Sequence, residues 1–283
     1  MKGIEIRNLV KFYGDVQALK SVSVSFSENK IYGLLGRNGA GKTTLLNSIT
    51  GRIFPDSGKI LIDGEPAIEN DNAQSKVFMM GEKNFYPDGM KVKDAIKWTE
   101  EFYPGFDRGY CIDLAEKFGL NQNKKIKNLS TGYGSIFRLI LTLSVNAHFL
   151  LFDEPVLGLD ANHRDMFYRS LLEKYSEQPF TAVISTHLIE EVAAVIEEVV
   201  IIKKGEIIRN QATEDLLTKG CSLSGSAAAI DSFIAGKTLL GVDSLGGFKT
   251  AYLLEEIDPT NLPSGIEMGK MDLQKLFIYL TNE

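Results

Sequence analysis

The chain has 283 residues, 44% of them apolar, two cysteines and a formal net charge of −6. That length accommodates one large α/β domain plus a smaller one, and the negative balance argues against a nucleic-acid surface. Cys111 and Cys221 stand alone without metal-ligand spacing, which argues against a disulfide framework or zinc site and fits a reducing cytosol.

Met1 to Glu5 does not read as a signal peptide, and no apolar run approaches the ~18 residues of a membrane span. Any work at a membrane is therefore expected to run through a partner. Ile4 to Phe26 reads as alternating short strands, with Val22, Val24 and Phe26 on one face and Ser21, Ser23 and Ser25 on the other. Between them, Phe12 and Tyr13 lie just upstream of a glycine-rich loop. Either ring could stack on a purine or fill the core, and the local sequence does not choose.

Ile31 to Leu35 is an apolar run leading into Gly36-Arg37-Asn38-Gly39-Ala40-Gly41-Lys42-Thr43-Thr44, and Leu45 to Ile49 continues with helical periodicity. Strand, loop and helix in that order are the context the spacing G-x-x-x-x-G-K-[S/T] requires. Glycines let backbone N–H groups approach a polyphosphate, and the helix N-terminus adds partial positive charge. Lys42 is expected to reach the β and γ phosphates and the Thr43 hydroxyl to ligate Mg²⁺.

Gly51 to Gly58 is turn-rich and precedes a strand, Lys59 to Ile62, that closes in Asp63-Gly64. Val77 to Met80 is a further buried strand. From Lys91 to about Val145 the spacing turns helical: Val92, Ala95, Ile96 and Thr99 share one face, Ile112, Leu114, Ala115 and Phe118 another, with Pro104-Gly105 breaking the two.

Phe149 to Phe152 is an apolar strand ending in Asp153-Glu154. Carboxylates there lie at the C-terminal edge of a parallel sheet, where open α/β sheets bind ligands. Asp153 is expected to face Mg²⁺, directly or through water, and Glu154 to face an attacking water. Phe180 to Thr186 is another strand, ending at His187, a position from which a side chain reaches a γ-phosphate. His148 and His163 have no motif around them and read as surface or packing residues. Leu188 to Ile196 reads as an amphipathic helix, Val199 to Ile202 as a strand, and Met271 to Leu280 as a terminal helix after short α and β segments punctuated by glycines. A second phosphate loop is lacking, so the chain is not a tandem of nucleotide domains.

Leu129-Ser130-Thr131-Gly132-Tyr133 resembles the L-S-G-G-Q signature of ATP-binding cassette (ABC) ATPases. Tyr13, the phosphate loop, this signature, the Asp153-Glu154 strand, Leu157-Gly158-Leu159-Asp160 like the family's D-loop, and His187 run in the family's order over about Ile4 to Asn210. The resemblance implies a P-loop NTPase with a mostly parallel core sheet, an antiparallel β subdomain and a helical subdomain. Residues 1–210 would form the ATP-binding domain, with its helical part at about 88–146, and 211–283 a small C-terminal α/β accessory region.

The resemblance further implies ATP and Mg²⁺ as cofactors. Gly36, Asn38, Gly39, Ala40, Gly41, Lys42, Thr43 and Thr44 would cradle phosphates, Thr43 and Asp153 would serve the metal, Glu154 would polarise the water, His187 would sense the γ-phosphate and Tyr13 would stack on adenine. Ser130 and Gly132 would contact the ATP of a second subunit, because cassettes of this family sandwich two nucleotides head to tail. Two positions depart from the pattern. Thr131 and Tyr133 stand where Gly and Gln are usual, and the Q-loop glutamine has no match in Met79 to Asn84, where Gly81 takes its place and Glu82 offers an oxygen ligand to the metal.

The expected function is ATP hydrolysis powering a membrane transporter, as a subunit peripheral to the cytoplasmic face of the cell membrane beneath separately encoded transmembrane subunits. It would pair with a second ATP-binding subunit, as homodimer or heterodimer. The compact cassette with its short tail resembles efflux subunits, so export is the expected direction, and no nucleic acid is expected as partner. The alternatives are a soluble ABC-type ATPase acting on ribosomes or DNA, whose relatives carry tandem cassettes or a coiled-coil insertion absent here, and a non-hydrolysing regulatory subunit of a heterodimer.

Overall fold

In the computed structural model, which describes residues 2–81, 86–87 and 89–282, the N-terminal alternation builds one long hairpin rather than several short strands. β1 (Gly3–Tyr13) and β2 (Val16–Ser27) pair antiparallel, and register shifts between Ile6 and Phe12 keep the ribbon continuous by bulging instead of breaking. Val22, Val24 and Phe26 are buried while Ser21 and Ser23 are exposed, as the period-2 pattern demands. β3 (Ile31–Leu35) leaves this ribbon for a second sheet, whereas β4 (Ser57–Ile62) returns to pair with β1. Asp63 and Gly64 both have positive φ, 51° and 83°, and turn the chain into the short β5 (Glu65–Pro66).

The central sheet adds β6 (Val77–Met80), β7 (Phe149–Asp153), β8 (Thr181–Thr186), β9 (Glu198–Lys203) and β10 (Glu206–Ala212), in the order β10-β9-β3-β8-β7-β6. Its pairs are parallel except β9 with β10. Every residue of β3, β7 and β8 is buried, which is why these segments read as short apolar runs without alternation.

Alternate residues serve different layers. Phe149 and Leu151 of β7 and Val183 of β8 join the core under the hairpin sheet, together with Leu45, Leu46 and Ile49 of α1 (Lys42–Ile49). Leu150, Phe152 and Ile184 face the opposite layer. That layer holds α3 (Val92–Phe102), α4 (Arg108–Lys117), α5 (Thr131–Ser144) and α6 (Ala161–Glu177); the short α2 (Asp71–Gln74) lies beside β6.

The helix expected over Leu188 to Ile196 is only the single turn α7 (Ile189–Val192). The chain must cross β3 from β8 to β9 within eleven residues, 187–197, which leaves no room for a longer helix and a return. Ile196 instead seats itself over Gly33 of β3, where a Cβ would come within 2.6 Å of its Cδ1.

Beyond β10, α8 (Thr213–Lys219) leads to a third sheet of β11 (Gly220–Ser226), β12 (Leu239–Leu245), β13 (Phe248–Leu254) and β14 (Ile266–Lys270), ordered β12-β13-β11-β14. α9 (Ala227–Phe233) closes a small core of its own with Leu223, Ile230 and Leu253. The terminal helix α10 (Leu273–Thr281) packs against α7 and α8, so Leu276 and Phe277 join the main core.

Candidate active site

The C-terminal ends of β3, β8 and β7 lie side by side, and each delivers one part of the site. From β3 the chain enters the glycine-rich loop. Gly41 has φ 111°, and a Cβ there would meet the Ala18 carbonyl oxygen at 2.8 Å, so only glycine fits. No side chain caps α1 and no acidic residue occupies its first turn, which leaves its leading N–H groups without a capping partner from the helix itself.

Lys42 is buried and turned back into the loop, its Nζ donating to the Gly36 carbonyl at 2.7 Å and standing 3.4 Å from Glu154 Oε1. A cleft of about 490 Å³ runs from Tyr13 over Asn38, Gly39, Ala40, Gly41, Lys42, Thr43 and Thr44 to Glu154 and His187. Gly36 is buried beneath the loop. Phe12 and Tyr13 are 43% and 48% exposed, so neither fills the core, and Tyr13 is the one that lines the cleft.

β7 delivers the carboxylates. Asp153 is 3% exposed and accepts a hydrogen bond from Ser185 Oγ, at 2.9 Å. Burial pushes its carboxyl above the ordinary range, while the Thr43 and Ser185 hydrogen bonds pull the other way. Glu154, at φ 48°, turns off the strand, and its backbone N–H still donates to the Ser185 carbonyl at 2.8 Å. A non-glycine residue in the left-handed region is held there by its surroundings, and such positions cluster at functional sites.

β8 supplies the partners. His187 Nδ1 lies 2.9 Å from Glu154 Oε1, and Thr186 Oγ1 donates to Glu154 Oε2 at 3.3 Å. Lys42, Glu154 and His187, three sequence candidates from three strand ends, thus meet on one carboxylate. Sequence reading missed Ser185 and Thr186. Their signal was two hydroxyl residues closing a wholly buried strand just after the apolar run Ala182 to Ile184.

Thr43 and Asp153 offer a hydroxyl from the first turn of α1 and a carboxylate from the end of β7. Such hard oxygen donors, few in number, suit Mg²⁺, which takes one or two protein ligands and completes its shell with phosphate and water. Among the described residues no cluster of three or more His, Cys, Asp or Glu forms a protein-only metal cage. Glu82, the remaining metal candidate, lies outside the described residues. Gly81 is buried and lines a separate cavity of about 240 Å³ with Arg52, Tyr86 and Tyr103.

Ser130 and Gly132 are not brought to the cleft. Ser130 caps α5, its Oγ accepting from the Tyr133 N–H at 3.3 Å, and Gly132 abuts the D-loop-like stretch, where a Cβ would lie 3.0 Å from the Gly158 carbonyl oxygen. Tyr133, the residue in place of glutamine, sets its ring edge-on to His163 at 6.1 Å. His163 is in turn bound to Asp160, which caps α6.

The sequence profile of the ABC transporter family matches residues 19–157. The ABC transporter ATP-binding protein YtrB of Bacillus subtilis (strain 168) is 33% identical over 189 residues, 67% of this chain and 65% of its own length. The ABC transporter ATP-binding protein NatA of the same organism is 30% identical across 71% of this chain and 84% of its own length. The sulfate/thiosulfate import ATP-binding protein CysA of Rhodopseudomonas palustris (strain ATCC BAA-98 / CGA009) is 30% identical across 86% of this chain and 71% of its own. Among solved structures, a bacterial ABC transporter cassette in dimeric form superposes with a TM-score of 0.67, covering 74% of this chain and 98% of that one at 23% identity.

Proposed function

The chain belongs to the ABC transporter family of ATP-binding ATPases, and we propose that it powers a membrane transporter by hydrolysing ATP in sites shared between two such subunits. The observation that carries this reading is the meeting of Lys42, Glu154 and His187 at the mouth of the phosphate loop, with Ser130 and Gly132 absent from the same cleft. One chain holds the phosphate side of a site and presents its signature residues elsewhere, as a head-to-tail pair requires.

In this proposal Tyr13 stacks on adenine, and residues Gly36 to Thr44 receive the phosphates through backbone N–H groups, with Lys42 adding a point charge. Thr43 and Asp153 hold Mg²⁺, which neutralises phosphate charge when bound. Glu154 takes the proton side of the hydrolytic water, and His187 keeps the Glu154 carboxylate oriented and reaches the γ-phosphate. Ser130 and Gly132 of the second subunit complete the cradle. Phosphoryl transfer depends on positioning and charge neutralisation, so a site lacking those donors binds ATP but turns it over slowly.

Residues 1–210 act as the cassette, with the helical part at about 88–146, and residues 211–283 as an accessory region. No helix among the described residues is long and apolar enough to cross a membrane, and in this proposal the chain attaches peripherally at the cytoplasmic face beneath separate transmembrane subunits. We place the chain in an exporter because the cassette is compact. A relative named for import matches the same region, so direction is tested on transport itself, with vesicles of either orientation. The test of the shared site is Glu154→Gln with saturating Mg²⁺ and ATP. An ATP-retaining dimer on gel filtration supports it, and a persistently monomeric ATP-bound variant refutes it.

A further inference from the structure

We propose that Ser185 is a positioning residue for the metal-side carboxylate: its hydroxyl holds Asp153 in the orientation that Mg²⁺ requires. The inference rests on the ATP and Mg²⁺ reading above.

Parallel register sets Asp153 of β7 directly beside Ser185 of β8. Counting along the strands, Asp153 shares a face with Phe149 and Leu151, and Ser185 shares one with Val183, all three apolar residues lying in the layer that contains α1. The two side chains therefore project toward the helix whose first turn carries Thr43. The Ser185 Oγ donates to Asp153 Oδ1 at 2.9 Å, with Ser185 at 0% and Asp153 at 3% exposure.

A hydroxyl buried in an apolar strand costs free energy unless it is bonded, and here the carboxylate supplies that bond. Both groups are buried, so the hydrogen bond from Ser185 rather than solvent sets how the carboxylate is rotated. With Oδ1 engaged by Ser185, the rotation of Asp153 is fixed on the side of the sheet that carries α1 and Thr43, the other oxygen donor of the metal pair. Partners of this kind, behind a metal ligand, commonly change metal affinity when removed.

The next residue provides an internal comparison. Thr186 is equally buried, but its hydroxyl donates to Glu154 Oε2, at 3.3 Å. The two hydroxyls at the end of β8 thus divide the two carboxylates at the end of β7. Loss of Ser185 is expected to fall on the metal, and loss of Thr186 on the water-facing carboxylate.

The experiment is equilibrium ATP binding by the purified full chain, once with Mg²⁺ and once with EDTA, accompanied by thermal melts in both conditions. In the wild type, Mg²⁺ is expected to tighten ATP binding. Ser185→Ala is expected to weaken the apparent Mg²⁺ affinity about tenfold while leaving ATP affinity in EDTA unchanged. Ser185→Thr, which keeps the hydroxyl, retains the Mg²⁺ gain, and so does Thr186→Val. A Ser185→Ala chain with wild-type Mg²⁺ dependence overturns the inference. Equal loss of affinity with and without Mg²⁺ in both Ser185 variants also overturns it, because that pattern marks a damaged strand. A wild-type chain that binds ATP equally in EDTA and Mg²⁺ instead overturns the Mg²⁺ reading beneath it.

Discussion

His187 Nδ1 lies 2.9 Å from Oε1 of Glu154, the same oxygen that stands 3.4 Å from Lys42 Nζ, so a histidine and a lysine from distant parts of the sequence share one carboxylate. In the proposed mechanism, Glu154 acts as a general base oriented by that partner. His187→Ala is expected to lower the hydrolysis rate about a hundredfold, the scale of losing one well-placed donor, with ATP affinity close to wild type. Single-turnover kinetics alongside equilibrium binding measures both. An equal loss of binding would assign His187 to ground-state contact instead.

Tyr13 is half exposed and lines the same cleft as Glu154. Stacking of a base on an aromatic ring is worth ~1–3 kcal/mol. Tyr13→Ala is expected to weaken ATP binding correspondingly, and Tyr13→Phe to leave it nearly unchanged, since the ring face and not the hydroxyl makes the contact. Binding of inorganic tripolyphosphate, which has no base, should be the same in all three proteins.

Asp153 is ionised at a cost. Burial holds its folded-state pKa above the ordinary carboxylate value, so the stability that the protonated form provides is lost as pH rises through the folded pKa. Asp153→Asn is therefore expected to raise the melting temperature at pH 7 while abolishing Mg²⁺-dependent hydrolysis. The gain should shrink below about pH 4, where the carboxylate is protonated in both folded and unfolded chains. A constant difference between pH 3 and pH 7 would show that charge burial is not its cause.

Both cysteines are buried, and burial pushes the Cys111 thiol up to about 11 and raises Cys221 as well. The thiolate is the reactive form, so neither is expected to react with an alkylating reagent in the native chain at pH 7.5, and both should react in denaturant. Mass spectrometry of the labelled chain reads the count directly. Native labelling at Cys221 alone would mark opening of the C-terminal sheet that carries it.

The phosphate loop, the paired carboxylates and the signature were legible in the sequence because each is a contiguous run whose chemistry depends on its own spacing. Strand identity at β3, β7 and β8 was legible for a related reason, since burial on both faces leaves the middle of each run apolar. What the sequence concealed depends on register between distant segments. Nothing local says that Ser185 will stand beside Asp153 and Thr186 beside Glu154; the parallel pairing of β7 with β8 decides it. The over-long helix expected after His187 failed similarly, because its length is limited by the crossing of β3 to reach β9. Tyr133 looked like an intruder in the signature until His163, on the next helix, supplied the ring it packs against.

The most direct test of the shared-site account is the specific ATPase activity of the purified chain as a function of its own concentration, with Glu154→Gln as the blank. If two chains complete each other's sites, activity per chain rises with concentration and saturates as the dimer fills, by mass action. A constant specific activity well above the blank, maintained down to concentrations at which the chain elutes as a monomer, would mean that one chain holds a complete site and would contradict the account.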